Sequence, residues 1–438
     1  MRIFHLKKAV LVILALLFSA QNSFAIEDIK KVDIKQAIEI AKENNLDILS
    51  SRMNIDIAKN DIKTANKLQN PEINLFYYFG RAGKGNPQQI GATELIELGK
   101  RGARKNLAKS NLKLVENNQE YNEFDLRMDV REAYINLVAA KTVLNNIRTQ
   151  QRLLEELVEI ADKKVKAGEL PEIDLIQARI TLNQMFTRVN TAAMTVKAKA
   201  IEFNKVINNK LENYDSIDDF FPDADDFLAM MTPKSNSKIP DFNFIAENAL
   251  KQRADLKIAK QQVDVAQKNL SVVVRQRIPD LELNGGYAYQ TKSLSDDGTF
   301  RAGAYAGVNL VNLPLFYNYS PEIKNAKLKV EQAQLNYESV ENKALKDLYR
   351  SYEQFLTAKE NLNFYNEKLV KDSDEMIKIS KKDYETGKAN LTSLIVMEQS
   401  YEEILEGCAN ATAEYYKSWI EFLREANTED FNLDTESI

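Results

Sequence analysis

The chain has 438 residues, of which 44% are hydrophobic and 28% are charged, and its 64 acidic residues outnumber its 59 basic ones to give a net charge of -5. This acidic balance argues against a nucleic-acid partner. The single cysteine, Cys408, excludes a disulfide framework, and the single histidine, His5, argues against a His/Cys metal site and against most hydrolytic enzymes. We therefore expect no cofactor and no catalytic residues.

Residues 1–25 have the composition of a secretory signal peptide. Arg2, Lys7 and Lys8 form a positive n-region, residues 9–18 form an apolar core, and small residues precede the expected cleavage site. The alternative is an N-terminal membrane anchor, but about 20 apolar residues are needed to span a bilayer. Cleavage would leave 56 of the 59 basic residues against 64 acidic ones, and no cysteine would follow the cut to carry a lipid.

The first structural repeat is predicted over residues 26–209. Alternating apolar residues after Pro71 predict strands, and a glycine at Gly168, just past a long helical run, predicts the tip of a helical hairpin. The predicted elements are a helix over 33–69, strands over 71–80 and 88–98, a long helix over 100–167 and a helix over 172–209.

The long helix of this repeat dominates the prediction. After Gly102 no proline or glycine occurs until Gly168, and apolar residues recur at helical spacing. At a rise of 1.5 Å per residue such a helix reaches roughly 100 Å, far longer than a helix of a compact domain. A second run of the same kind, from Pro321 to Gly387, indicates that the long helix is a repeated feature.

A connector over residues 210–241, with three prolines and an acidic cluster, separates the first repeat from a second repeat over 242–424. The elements predicted for the second repeat are a helix over 242–278, strands over 280–291 and 299–311, a long helix over 321–386 and a helix over 390–424. An acidic tail over 425–438 ends the chain.

The spacing between the two repeats drifts along the chain. The prolines that end the first helix of each repeat lie 208 positions apart, Lys359 follows Lys141 by 218 positions, and Gly387 follows Gly168 by 219. Insertions and deletions in loops would account for this drift, because loops tolerate them.

Four strands per chain predict an assembly of several chains. Four strands cannot close a barrel around anything wider than side chains, and an open sheet with an apolar face exposes its edges. In a bacterial outer membrane, three chains of four strands would be the smallest ring that leaves a lumen. We therefore expect a mainly α fold with a small β part, in which long helical hairpins form a periplasmic α-barrel and four strands per chain contribute to a trimeric transmembrane β-barrel surrounded by outer membrane lipid.

Several motifs follow the same order as in a known family. Gly99, Lys100 and Arg101 lead into the first long helix, Leu-Pro-Leu-Phe at 313–316 precedes the second, and a glycine lies at each predicted tip. Together they resemble the TolC family of outer membrane efflux proteins over almost all of the mature chain. Within that family, Gly99, Lys100 and Arg101 most resemble the CzcC-like branch, which is paired with heavy-metal exporters.

The resemblance implies the exit duct of a tripartite efflux system. Such a duct is a homotrimer that passively conducts substrates and docks onto a periplasmic membrane-fusion adaptor protein and an inner-membrane pump, here of the RND type. The CzcC-like motif favours heavy-metal cations as cargo, but the scarcity of histidine and cysteine leaves the substrate open. Drug efflux and type I protein secretion are alternatives, and a secreted coiled-coil structural protein or a soluble periplasmic enzyme is disfavoured.

The resemblance also implies a periplasmic gate at the two tip glycines, Gly168 and Gly387. Asp174 follows the first by six residues and Tyr384 precedes the second by three, and in TolC relatives these positions form part of a hydrogen-bonded lock. The alternative is that both are ordinary solvated tip residues. The chain departs from its relatives at Ser393 and Val396, where a ring of aspartates is expected, so ion selectivity by a ring of carboxylates is in doubt. 

Overall fold

The computed structural model describes residues 34–76, 89–208, 242–289 and 303–429. The predicted signal peptide, the connector over 210–241 and residues 430–438 of the predicted tail lie outside the described residues. Within the described parts of the chain, no helix combines the length and the apolar character that crossing a membrane requires.

The first repeat consists of two short helices, a strand pair and a helical hairpin. Its long helix has 67 residues and therefore reaches roughly 100 Å. The bounds are α1 Ile34–Asn44, α2 Leu46–Ala65, β1 Glu72–Phe76, β2 Gln89–Ile96, α3 Lys100–Lys166 and α4 Glu172–Ile207.

The second repeat has the same order of elements, but the long helix that follows its strands is in two parts. The bounds are α5 Phe242–Gln252, α6 Ala254–Arg275, β3 Asp280–Ala288, β4 Gly303–Val311, α7 Ser320–Phe364, a π-helical turn Tyr365–Leu369, α8 Val370–Glu385 and α9 Leu391–Ala426. The returning helices α4 and α9 each have 36 residues, which keeps the two hairpins alike.

The helix predicted over 33–69 is two helices, because the backbone of Asn45 is extended. The Asn45 side chain caps α2 by accepting hydrogen bonds from the backbone N–H groups of Asp47 and Ile48, at 3.0 and 3.2 Å. A second asparagine contacts the residue before this break. The side chain of Asn208, at the end of α4, donates a hydrogen bond to the carbonyl of Asn44 at 2.7 Å.

The helix predicted over 242–278 is broken at the corresponding place. Arg253 separates α5 from α6, and its guanidinium group pairs with Asp255 at 2.8 Å and with Glu425 at 2.6 Å. Asn427, at the end of α9, donates to the carbonyl of Gln252 at 3.3 Å. The same asparagine contact therefore occurs in both repeats.

The long helix predicted over 321–386 is interrupted by the π-helical turn at Tyr365–Leu369. A single residue added within a helix is commonly accommodated as such a turn. The spacing between repeats grows by one position across it, from 218 at Lys359 to 219 at Gly387. This part of the drift therefore lies inside a helix and not in a loop. The turn places Tyr365 against α9, where a Cβ on Gly407 would lie 2.7 Å from the tyrosine hydroxyl oxygen.

The four strands form one antiparallel sheet in the order β1-β2-β3-β4. The pairing of β2 with β3 joins the two repeats, with Gly91 opposite Gly286 in the register. Strands β1 and β4 are the edges of the sheet in a single chain, and side chains such as Leu75 and Val308 on these edge strands are exposed. Such edges are available for pairing with another chain.

Replacing Gly286 with alanine is expected to weaken the β2–β3 pairing. A Cβ at Gly286 would lie 2.2 Å from the carbonyl oxygen of Ile90 and 2.6 Å from the Cα of Gly91, so the backbone itself would have to move. We expect Gly286→Ala to lower the free energy of unfolding by about 2 kcal/mol, as overpacking does, measured by urea unfolding of the detergent-solubilised protein. Gly285→Ala is the matched control, because its nearest contact would be an ordinary 3.6 Å. Equal losses of stability in Gly286→Ala and Gly285→Ala would show that the close backbone contact at Gly286 is not the cause.

The helices enclose two apolar clusters, one nearer the strands and one at the tips. In the larger cluster Phe355 packs against Trp419 with ring centroids 4.9 Å apart, which ties α7 to α9. The smaller cluster, here called the tip cluster, contains Leu157 of α3, Leu175 of α4, Ile377 of α8 and Leu394 of α9. The ends of both hairpins therefore pack together in one chain.

Candidate functional site

Both tip turns are built around a glycine with a left-handed backbone. Gly168 has φ of 74° and Gly387 has φ of 75°, a conformation that costs an ordinary residue about 1–2 kcal/mol. The backbone N–H of Glu169 bonds back to the carbonyl of Lys164 at 2.9 Å, and that of Lys388 bonds back to Asp383 at 2.8 Å. These are the hydrogen bonds of a Schellman helix end, so both predicted tip glycines lie where their conformation is needed.

Tyr384 is buried in the tip cluster, with 5% of its surface exposed. The ammonium of Lys164 lies 4.4 Å from the centre of its ring, a cation–π contact between α8 and α3. Burial raises the pKa of the Tyr384 hydroxyl, and the negative charge of Asp174 raises it further. The hydroxyl is therefore neutral at ordinary pH.

The predicted partners Asp174 and Tyr384 are near each other, but no hydrogen bond between them forms in a single chain. The Tyr384 hydroxyl is buried and has no hydrogen-bond partner among the described residues. Asp174 is half-buried in the first turn of α4, where its carboxylate also suits the positive end of the helix. The buried hydroxyl is therefore free to accept or donate a hydrogen bond if the helices move.

Ser393 and Val396 lie on the exposed side of α9. Ser393 is part of the helix start, because its backbone N–H donates to the Asn390 side chain at 2.7 Å. Val396 is 46% exposed. Ser393 follows Gly387 by six residues, as Asp174 follows Gly168, so one repeat carries an acid at this position and the other a hydroxyl.

Four charged residues near the tips were not predicted as site residues. Glu398 and Glu402 on α9 are 3% and 2% exposed. Lys381 of α8 lies 3.1 Å from Glu398, and Arg188 of α4 lies 2.8 Å from Glu402 and also pairs with Glu406 at 3.0 Å. The two glutamates continue the buried stripe of α9 at a spacing of four residues, which is the signal that could have identified them.

The predicted motif Gly99, Lys100 and Arg101 lies far along α3 from the tips, at the junction with the sheet. Gly99 precedes the helix with φ of 75°, and its carbonyl accepts a hydrogen bond from Arg275 at 2.7 Å. The ammonium of Lys100 lies 2.7 Å from the buried carboxylate of Asp280, whereas Arg101 is exposed. The motif thus joins the first long helix to the first residue of β3, in the other repeat.

Among the described residues, no three His, Cys, Asp or Glu side chains are grouped closely enough to hold a metal ion. The features that the structure brings together are four helix ends, two left-handed turns and a buried phenol next to carboxylates.

Comparison with solved structures shows the fold. The chain is similar to the CmeC outer membrane channel of Campylobacter jejuni, with 17% identity, 91% of this chain and 86% of that chain covered, and a TM-score of 0.72. It is also similar to the outer membrane protein VceC of Vibrio cholerae, with 14% identity, coverage of 90% and 96%, and a TM-score of 0.71. For CusC the values are 15% identity, coverage of 90% and 91%, and a TM-score of 0.71.

The family is shown by the sequence itself. A search of curated proteins found no significant match, but the model of the family described as outer membrane efflux protein matches residues 37–208 and 245–424. These segments fall on the two repeats and cover most of the chain. The expected outer membrane location and the expected role in efflux are thereby confirmed. The chain belongs to the outer membrane efflux protein family.

Proposed function

We propose that this protein is the exit duct of a tripartite efflux system. Three copies would join their sheets edge to edge into one transmembrane barrel, and their hairpins would form the periplasmic tube. A membrane-fusion adaptor and an inner-membrane pump of the RND type would supply the substrate and the energy, so the duct itself carries out no catalysis. The observation that carries this proposal is a four-stranded sheet with two open edges that is attached to two helical hairpins. The long helix α3 of the first hairpin is about 100 Å long.

The oligomeric state tests the architecture directly. We expect the mature protein to fractionate with outer membranes and to migrate as a heat-labile trimer on a gel. A stable monomer outside the outer membrane would contradict the proposal.

We propose further that Asp174 and Tyr384 hold the tips in a closed state. The support is the burial of the Tyr384 hydroxyl without a hydrogen-bond partner in the described chain and the influence of the Asp174 charge on it. Movement of α4 towards α8 would let the hydroxyl donate to the carboxylate, and separation of the two helices would release it. Because a hydrogen bond to a charged group is among the stronger ones, this contact suits a latch.

Conductance measurements test the latch. We expect the double substitution Asp174→Ala and Tyr384→Phe to raise single-channel conductance in planar bilayers severalfold, because neither group can then hold α8 against α4. Glu172→Ala is the matched control, since Glu172 is an exposed acid in the same first helical turn. Unchanged closed-state conductance in the double variant would exclude the latch.

We propose heavy-metal cations as the cargo, on the resemblance of Gly99, Lys100 and Arg101 to the CzcC-like branch. A strain that lacks the protein should become hypersensitive to Zn, Co, Cd or Cu salts more than to detergents, dyes and antibiotics. Hypersensitivity to organic compounds alone would exclude metal export while leaving the duct intact. The same strain complemented with the Asp174→Ala variant should regain its resistance, because the latch is proposed to close the duct and not to select the cargo.

A further inference from the structure

A cavity of about 320 Å³ lies between the helices of a single chain, close to the tip turns. Helices α3, α8 and α9 surround it. Its apolar part includes Leu157, Ile160 and Leu394, and its polar part includes Lys381, Tyr384 and Glu398. A cavity of this size can hold several water molecules or one small organic molecule.

Two of the polar groups that line this cavity are buried and unsatisfied. Glu398 is 3% exposed and Tyr384 is 5% exposed. The two carboxylate oxygens of Glu398 and the hydroxyl oxygen of Tyr384 have no hydrogen-bond partner among the described residues. Lys381 approaches one Glu398 oxygen to 3.1 Å without the angles of a hydrogen bond, which leaves the second oxygen without any partner. Buried oxygens of this kind require a donor.

The charges around the cavity favour a cation. Three carboxylates, from Glu156, Glu385 and Glu398, line it together with two ammonium groups, from Lys164 and Lys381. The lining therefore carries one more carboxylate than ammonium groups, and Glu398 is the only one of the three carboxylates that is buried. A metal ion is disfavoured, since the described residues offer no group of three carboxylate, imidazole or thiolate ligands close enough to bind one.

We propose that this cavity binds a small organic ammonium ion. The N–H groups of a primary ammonium can donate to the free oxygen of Glu398 and to the hydroxyl oxygen of Tyr384 at the same time. The hydrocarbon part then lies against Leu157, Ile160 and Leu394. The site shares Tyr384 with the proposed gate, but the hydroxyl oxygen of Tyr384 can accept from the ammonium while its proton is donated elsewhere, so the site does not require the proposed gate or the proposed cargo to be correct.

Calorimetric titration of the full-length mature protein, as its folded oligomer in detergent, tests this site with phenethylammonium as the probe. We expect saturable binding of one ion per chain. The neutral analogue 2-phenylethanol should bind at least about tenfold more weakly, because it cannot form charge-assisted hydrogen bonds. Comparable binding of the two compounds, or no saturable binding of the ammonium, would overturn the proposal.

Variants separate this site from general binding of the probe to protein or detergent. Glu398→Gln should weaken binding about tenfold, since it replaces a charged acceptor with a neutral one of the same shape. The matched control is Glu403→Gln, an exposed glutamate on the same helix and outside the cavity, which should bind as the unmodified protein does. Equal affinity in Glu398→Gln and Glu403→Gln would exclude the cavity.

A second variant keeps the test decisive if Glu398→Gln impairs folding. Ile160 lines the cavity and is 42% exposed, so Ile160→Trp can fill the cavity from its open side while every charge remains in place. We expect this variant to lose phenethylammonium binding. Full affinity in Ile160→Trp would place the probe elsewhere, and tighter binding of Zn²⁺ than of the ammonium, lost in Glu398→Gln, would replace the proposal by a metal site.

Discussion

Replacing Lys100 with methionine is expected to lower the free energy of unfolding by about 3 kcal/mol, the cost of leaving a buried charge without its partner. The carboxylate of Asp280 is 3% exposed, and it accepts hydrogen bonds from Lys100 at 2.7 Å and from Asn312 at 2.9 Å. Methionine fills a similar volume but supplies no positive charge. The contact between the start of α3 and the start of β3 would therefore lose its ion pair, one of the interactions that join the two repeats beside the β2–β3 pairing.

Chemical unfolding of the detergent-solubilised protein measures this effect. Arg101→Met is the matched control, because Arg101 is the adjacent cation on the same helix and is exposed; we expect a change of less than about 0.5 kcal/mol. Adding Asp280→Asn to Lys100→Met should recover part of the loss, since the buried group is then neutral and can still accept from Asn312. A Lys100→Met protein as stable as the Arg101→Met protein would show that the buried ion pair with Asp280 contributes little to the stability.

Replacing Arg188 with methionine is expected to destabilise the tip half of the molecule by about 2 kcal/mol. Arg188 bridges Glu402 and Glu406 of α9, and Glu402 is 2% exposed. Removing the guanidinium leaves the Glu402 carboxylate buried without the one cation that pairs with it among the described residues. We expect less than the full cost of breaking a buried pair, because Arg188 itself is 42% exposed and partly screened by water.

The pH dependence of the free energy of unfolding lost in Arg188→Met, here called the deficit, provides an independent check. Burial raises the pKa of Glu402 above 4.5, and Arg188 opposes that rise. A carboxyl group whose pKa is raised in the folded state contributes its stability below its unfolded pKa and loses that contribution as the pH rises through the folded value. The deficit should therefore be largest at neutral pH and shrink as the pH is lowered towards 4.5. Arg179 is on α4, like Arg188, and pairs with Asp162 of α3 at 3.2 Å; because its own side chain is 57% exposed, Arg179→Met should cost less than about 1 kcal/mol at every pH. A deficit independent of pH would argue that Arg188 acts through packing alone.

The order of the elements could be predicted because each signal is local. Helical spacing, strand alternation and the tip glycines all lie within a few residues of the structure that they specify. The helix breaks at Asn45 and Arg253 were missed, because both residues lie within continuous helical spacing. Asn208, which bonds the carbonyl of Asn44 beside the first break, and Glu425, which pairs with Arg253, are more than 160 residues away in sequence, and such pairings have no local signature.

The candidate site was predictable only in part. Asp174 and Tyr384 came from the resemblance to a family, and the structure places them close together without bonding them. Glu398 and Glu402 occupy core positions of α9, which periodicity alone could have shown. Their partners Lys381 and Arg188 could not be assigned, because many lysines and arginines lie along the same helices and only the packing selects between them.

The π-helical turn at Tyr365–Leu369 allows the two hairpins to differ by one residue close to their tips. Helices α4 and α9 both have 36 residues, whereas the chain runs 28 positions from Lys359 to Gly387 and 27 from Lys141 to Gly168. An uninterrupted helix would have rotated everything beyond the insertion by about 100° and carried Tyr384 out of its packing. The wider turn absorbed that rotation. The second hairpin can thus contain one residue more than the first between Lys359 and its tip glycine while Tyr384 keeps its place in the tip cluster.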